Sequence, residues 1–262
     1  MFLKRHPLLS YFVLAYLLTW VIEVPMMLNA RGVLSVQLPH WMEALAAFGP
    51  FAAALIVLGV WQGQTGMRKL FASLCDWRLP GVWWAVTLIF PFVIMFAALL
   101  ITGATDRLFS GELIRGLWVE GRLFEVIVLG GVLRGLGEEP GWRGLALPVL
   151  RNRHSALIAS LLLWPVWTCW HLPSFLMRPE FALGAWFGFS LGILAATVFL
   201  TLLYDQTRSV LLAAVWHALI NIARTIAGSA SQDAFFVFAQ LMMLAGTIII
   251  LYWIFTGRNA KV

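Results

Sequence analysis

Charged residues are scarce in this sequence. Only 11% of its 262 residues are Asp, Glu, Lys or Arg, whereas 61% are hydrophobic and the mean hydropathy is +0.88. A water-soluble domain of this length needs far more polar surface, so the composition argues against one. Apolar stretches of about 20 residues recur, which is the length of helix that crosses a ~30 Å hydrocarbon layer. The composition therefore indicates an integral membrane protein.

Cysteine and several enzyme motifs are also missing. Only Cys75 and Cys169 are present, in a predicted loop and a predicted membrane segment, so a disulfide framework is not expected. No His-Glu-x-x-His pair, Gly-x-Ser-x-Gly elbow or Gly-rich phosphate loop occurs, which argues against a serine hydrolase and against a nucleotide partner. Basic residues near lipid headgroups account for the net charge of +6 without a nucleic-acid partner.

The apolar runs are long and continuous rather than alternating, so they favour helices over membrane strands. We predict an all-α, polytopic integral membrane protein with about eight transmembrane helices, forming a single transmembrane domain over residues 1–262. The fourth run is too long for one crossing, and we expect it to be tilted, extended beyond the lipid, or broken near Gly135, Gly137 or Pro140. The predicted segments are 8–29, 41–62, 82–104, 119–149, 155–176, 182–204, 209–228 and 233–256.

Basic residues are distributed unequally between the two ends of these segments. One side carries Lys4, Arg5, Arg68, Lys69, Arg78, Arg151, Arg153, Arg208, Arg258 and Lys261. The other side carries Arg31, Arg107, Arg115, Arg122 and Arg178. Because an excess of Lys and Arg marks the cytoplasmic side, we predict that both termini are cytoplasmic. The absence of a targeting extension favours a prokaryotic cell (inner) membrane.

Two adjacent acids, Glu138 and Glu139, interrupt the fourth apolar run. Ionised side chains at bilayer depth are costly, so they remain where they pair, line a cavity or take part in chemistry. On a helix Glu139 and Arg143 are four residues apart, as are Arg134 and Glu138, so both acids can be paired. A purely structural pair of ion bridges is the alternative, but burying four charges for structure alone is expensive.

Polar residues also occur in two later apolar runs. His171 follows Trp167-Thr168-Cys169-Trp170, and His217, Asn221 and Arg224 form one stripe on a helix. Counted from the predicted cytoplasmic turns at ~1.5 Å per residue, Glu138 and Asn221 lie at equal depth and the histidines lie on either side. We therefore expect these groups to meet, although a single buried histidine is more often a packing residue.

Such a set of side chains can hydrolyse a peptide bond. Glu138 can accept a proton from water, His171 can hold that water, and His217 with Asn221 can donate hydrogen bonds to an oxyanion. Two histidines and a glutamate are also a common Zn²⁺ ligand set that leaves a position for water. A divalent metal would then be held by His171, His217 and either Glu138 or Glu139, and the other carboxylate would be the base.

Three motifs occur in order along the chain: Glu138-Glu139-Pro140-Gly141-Trp142-Arg143-Gly144, Trp167-Thr168-Cys169-Trp170-His171-Leu172-Pro173 and His217-Ala218-Leu219-Ile220-Asn221. They resemble the motifs of the CPBP intramembrane proteases, a family that includes the type II CAAX prenyl endopeptidases and relatives linked to bacteriocin processing and self-immunity. The resemblance covers a motif-bearing core of about 115–225. It implies an endopeptidase that acts on a membrane-associated peptide or protein.

The resemblance also implies a role for each matching residue. Glu138 corresponds to the water-activating glutamate, Glu139 and Arg143 to a structural pair, and His171 to the water-holding histidine. His217 and Asn221 correspond to an oxyanion-stabilising pair. Trp167 is a departure, because family members often have Phe four residues before the second-motif histidine.

Two other functions are compatible with the same residues. In a proton-coupled transporter, Glu138, Glu139, His171 and His217 would form a relay, although no internal repeat supports this reading. In a non-catalytic scaffold or immunity protein, the polar cluster would bind another helix. The loops contain nothing that selects among a prenylated C-terminal peptide, a bacteriocin leader and another peptide near the membrane.

Overall fold

The computed structural model describes residues 2–35, 38–39, 41–178 and 182–257, and every regular element in these ranges is helical. Two π-helical segments, Glu125–Val132 and Trp142–Ala146, lie on either side of α10. The α-helices are α1 Phe2–Arg5, α2 Pro7–Ala30, α3 Met42–Ala46, α4 Gly49–Trp61, α5 Gln64–Cys75, α6 Gly81–Ile101, α7 Thr105–Phe109, α8 Glu112–Val119, α9 Arg122–Phe124, α10 Leu133–Gly141, α11 Leu147–Arg151, α12 Ala156–Trp170, α13 Leu172–Leu176, α14 Leu183–Thr207, α15 Val210–Ala230 and α16 Gln232–Thr256. The predicted all-α class is confirmed.

Six helical spans in the described ranges are long and apolar enough to cross a membrane, so the chain is an integral multi-pass membrane protein. They correspond to the first, second, third, sixth, seventh and eighth predicted segments. Their bounds are Pro7–Ala30, Met42–Trp61, Gly81–Ile101, Leu183–Thr207, Val210–Ala230 and Gln232–Thr256. The cytoplasmic location of both termini stays a prediction. Two of the basic residues on which it rests, Arg258 and Lys261, lie outside the described residues.

The remaining two predicted segments are irregular helices. The fourth runs without interruption from Arg122 to Arg151, so it does not break at Gly135, Gly137 or Pro140, which lie inside α10. The irregularities are instead the π-helical turns on either side of α10, which change the direction in which the following side chains point. The fifth segment ends at His171 and restarts as α13. Pro173 cannot donate to the preceding turn, which explains the interruption there rather than at Pro165.

Glycines allow α10 to pack directly on neighbouring backbones. A Cβ on Gly135 would collide with the backbone oxygen of Ala214 in α15. A Cβ on Gly137 would lie 2.6 Å from the backbone oxygen of Ala47 and 3.0 Å from the nitrogen of Phe48, between α3 and α4. This close approach positions the two glutamates that follow among the neighbouring helices.

Gly137→Ala is expected to destabilise the bundle, because the new methyl group meets a backbone that cannot move aside. Overpacking of this kind costs about 1–3 kcal/mol. Gly192→Ala in α14 is the matched control, since a Cβ there meets nothing within 4 Å and alanine favours a helix by about 1 kcal/mol. Thermal unfolding in detergent measures both, and equal melting temperatures for the two variants would contradict the packing argument.

Candidate active site

Glu139 and Arg143 form the predicted ion pair within the fourth segment. Arg143 Nη1 donates to Glu139 Oε1 over 2.9 Å, and both side chains are fully buried. His217 Nδ1 of α15 lies 2.7 Å from the same carboxylate oxygen. The Arg143 guanidinium also lies over the Trp167 ring, 4.2 Å from its centroid. These contacts connect all three motif-bearing segments.

Glu138 has a different partner from the predicted one. Its Oε2 accepts a 3.0 Å hydrogen bond from Trp167 Nε1, and its side chain is buried. Arg134 does not pair with Glu138, because Glu43 of α3 lies 2.5 Å from Arg134 Nη2 and takes that place. Of the two i,i+4 pairs that the sequence allowed, the structure therefore contains only Glu139–Arg143. Sequence reasoning missed Glu43, an acid at the start of the second apolar run.

His171 lies at the C-terminal end of α12, where the chain turns. Its Nδ1 is 2.7 Å from the backbone oxygen of Trp167. A carbonyl oxygen only accepts hydrogen bonds, so Nδ1 carries the proton and Nε2 of the neutral ring is an acceptor. The ring packs edge-on against Trp170 and Phe189, with centroids 4.7 and 5.3 Å away. These contacts fix both the orientation and the tautomer of the imidazole.

The contact of His217 with Glu139 similarly decides which ring nitrogen remains free. Glu139 Oε1 accepts from Arg143 Nη1 and also lies beside His217 Nδ1, so we assign His217 Nδ1 as a second donor to this oxygen. Nε2 can then donate a hydrogen bond only when the ring is an imidazolium. Asn221 lies one turn further along α15, and its side-chain amide has no hydrogen-bond partner among the described residues.

The four predicted catalytic residues line one cavity of about 650 Å³. Glu138 and His171 face it from the fourth and fifth segments, and His217 and Asn221 face it from α15. Glu139 and Arg143 do not line it and lie behind His217 and Trp167. The structure thus separates groups that can reach a ligand from groups that support them.

The predicted zinc ligand set is not assembled in this arrangement. Among the described residues, no three His, Cys, Asp or Glu side chains are grouped so that they could hold a metal ion. Glu139 instead binds Arg143 and His217 through a single oxygen. Cys75 and Cys169 are both free thiols. The geometry therefore gives no support to a metal centre built from these side chains.

The fold and the cavity define a multi-pass helical membrane protein with a buried site of carboxylate, imidazole and amide groups. Residues 121–223 match the sequence model of a family described as Type II CAAX prenyl endopeptidase Rce1-like. All three motifs lie inside the matched range. The resemblance predicted from the motifs is thereby confirmed for this segment.

A curated relative supports the same similarity. Over 123 residues the chain is 32% identical to a protein of Methanococcus maripaludis named CAAX prenyl protease 2. The alignment covers 44% of this chain and 45% of the relative, so the chain spans less than half the length of the relative it matches.

Proposed function

We propose that this protein is an intramembrane endopeptidase that hydrolyses a peptide bond of a membrane-associated substrate. The observation that carries the proposal is the single cavity of about 650 Å³ lined by Glu138, His171, His217 and Asn221. Glu138 can accept a proton from water, and His171 can accept a hydrogen bond from the same water. His217 and Asn221 can donate hydrogen bonds. The similarity to type II CAAX prenyl endopeptidases covers the same residues.

In the proposed reaction a water molecule attacks the scissile carbonyl carbon. Trp167 occupies Glu138 Oε2, so Oε1 is available to take a proton from the water. His171 Nε2, an acceptor in its tautomer, holds the second hydrogen of the same water. After the carbon–oxygen bond forms, Glu138 passes its proton to the departing amine nitrogen as the carbon–nitrogen bond breaks.

The negative charge of the tetrahedral intermediate needs donors on the opposite side of the carbonyl. The Asn221 amide can donate directly, and His217 can donate through Nε2 as an imidazolium. Glu139 supports that imidazolium through Nδ1, while Arg143 balances the carboxylate. Glu139 and Arg143 therefore act through His217 and do not touch the substrate.

Trp167→Phe is expected to lower kcat about tenfold with little change in KM. The indole donor that orients Glu138 is lost, a hydrogen bond to a charged group worth about 1.5–3 kcal/mol. The phenyl ring still fills the space below Arg143. Trp170→Phe is the control, since it removes an indole donor to Thr19 Oγ1 rather than to Glu138. Steady-state kinetics in detergent measure both, and an unchanged kcat for Trp167→Phe would show that the indole donor is dispensable.

The position of the cavity bears on how a substrate enters. Its lining includes Asn29 and Arg178, at the ends of the first and fifth segments. The distribution of basic residues predicts that these ends lie on the non-cytoplasmic side. We infer that substrate reaches the site from that side. A prokaryotic cell membrane as the location stays a prediction.

Incubation of the purified protein with quenched, membrane-anchored peptides tests the proposed function. The set should include prenylated C-terminal peptides and leader-type peptides, and mass spectrometry should identify the new termini. Cleavage by the wild-type protein and its loss in Glu138→Gln would support an endopeptidase. Products formed equally by both proteins would contradict it.

A further inference from the structure

Two arginines, Arg178 and Arg224, lie beyond the proposed catalytic residues. Both line the cavity that contains Glu138, and both also line a second cavity of about 700 Å³. Arg224 follows Asn221 by three residues on α15 and lies on the same face, one turn further from His217. The catalytic cavity therefore ends at a pair of guanidinium groups.

Neither guanidinium forms an ion pair with any carboxylate in the described part of the chain. Arg178 lies over the Phe175 ring, 4.7 Å from its centroid. Arg134 and Arg178 line the same cavity as Arg224 and carry the same sign. Arginine inside a membrane-spanning helix ordinarily pairs with an acid or serves a pathway or ligand. Arg224 has no such ion pair among the described residues.

The acids that line the two cavities are Glu43, Glu112, Glu120 and Glu138, and Glu138 accepts a hydrogen bond from Trp167. Glu43 is bridged to Arg134. Glu120 is bridged to Arg122 over 3.2 Å, and more than half of each of these side chains is exposed. Glu112 lines the second cavity on the exposed side of α8. Within the described part of the chain, Arg178 and Arg224 therefore line the catalytic cavity without forming an ion pair.

We propose that Arg224, assisted by Arg178, binds a carboxylate of the peptide substrate. This assignment rests on the proposed endopeptidase function and specifies which substrates that site prefers. A guanidinium group binds a carboxylate through two parallel hydrogen bonds, a geometry that lysine cannot provide. The carboxylate belongs either to the free C-terminus of the peptide or to an acidic side chain.

The distance along the helix limits where that carboxylate lies relative to the cleaved bond. Arg224 is ~10 Å from His217 along α15. An extended peptide advances ~3.3 Å per residue. The bound carboxylate therefore lies a few residues from the scissile bond, on the side that extends beyond Asn221.

Binding rather than turnover tests this proposal, so its outcome does not depend on cleavage. Three fluorescein-labelled apolar octapeptides serve as probes: one with a free C-terminal carboxylate, its C-terminal amide, and the amide with glutamate as the last residue. Fluorescence anisotropy in detergent measures their affinity for Glu138→Gln protein, for Glu138→Gln with Arg224→Gln, and for Glu138→Gln with Arg115→Gln. Arg115 is an exposed arginine of α8 that lines neither cavity.

We expect the free-carboxylate peptide to bind at least tenfold more tightly than its amide. Arg224→Gln should remove this preference and Arg115→Gln should retain it. If the amidated peptide that ends in glutamate binds as tightly as the free-carboxylate peptide, the site also accepts acidic side chains. If it binds only as weakly as the plain amide, the site accepts only a C-terminal carboxylate. The proposal would be overturned if all three peptides bound with equal affinity or if none of them bound. It would also be overturned if the preference for the free carboxylate persisted in the Arg224→Gln variant. A preference that depends on Arg224 in a protein that cleaves nothing would refute only the peptidase function.

Discussion

Replacing Glu138 with glutamine is expected to lower kcat/KM for peptide cleavage by about 10²–10⁴-fold, the usual contribution of a general base. Glutamine has nearly the same shape and can still accept the hydrogen bond from Trp167, so the cavity should keep its packing. A neutral amide cannot take the proton of the attacking water. The measurement is the initial rate of product formation by wild-type and variant proteins at equal concentration in detergent.

Glu125→Gln is the matched control for this variant. Glu125 lies on the same segment as Glu138 but is exposed. The Glu125→Gln variant should retain the wild-type rate of cleavage. Both Glu125→Gln and Glu138→Gln should unfold at the wild-type temperature. Turnover of Glu138→Gln within threefold of wild type would remove Glu138 from the chemistry. Adding a chelator to the same assay tests the zinc prediction. We expect turnover to persist, because Glu139 contacts Arg143 and His217 and is not part of a set of metal ligands.

Arg143→Met is expected to cause the largest loss of stability. Arg143 and Glu139 are both fully buried, and removal of one partner from a buried ion pair costs about 3–5 kcal/mol because the other charge stays uncompensated. Methionine approximately preserves the volume of the side chain, so the lost charge rather than a cavity dominates. The melting temperature in detergent should fall well below that of Trp170→Phe, which breaks a neutral hydrogen bond.

A second substitution separates the charge effect from a packing effect. Adding Glu139→Gln to Arg143→Met removes the uncompensated carboxylate, so most of the lost stability should return. Catalysis should not return, because His217 loses the carboxylate that holds its Nδ1. If the double variant is as unstable as Arg143→Met, packing of the guanidinium on Trp167 accounts for the stability instead.

The sequence predicted much of the site because intramembrane polar residues are rare. Glu138, His171, His217 and Asn221 stand out against apolar neighbours, and the structure places all four on one cavity. The Glu139–Arg143 pair was predictable from its spacing, since i,i+4 residues on a helix are neighbours whatever surrounds them. Their individual roles in catalysis stay predictions.

The partners of these residues were less predictable. The i,i+4 rule favoured an Arg134–Glu138 pair, but α3 brings Glu43 to Arg134 and the indole of Trp167 reaches Glu138. Both contacts join residues distant in sequence, so no local pattern indicates them. The departure at Trp167 was a signal, because an indole has a hydrogen-bond donor that a phenyl ring lacks. The π-helical turns on either side of α10 also had no sequence signature that marked their positions.

The sequence by itself determined that this is a helical, multi-pass membrane protein, because a lipid environment demands long apolar segments with internally satisfied backbone groups. It also determined which polar residues need an explanation, since their burial is costly. Only the tertiary structure decided which of them meet, because that outcome depends on contacts between helices. The tertiary structure likewise decided that Arg178 and Arg224 line the catalytic cavity and form no ion pair with the other described residues, since pairing can be judged only when the neighbouring helices are in place.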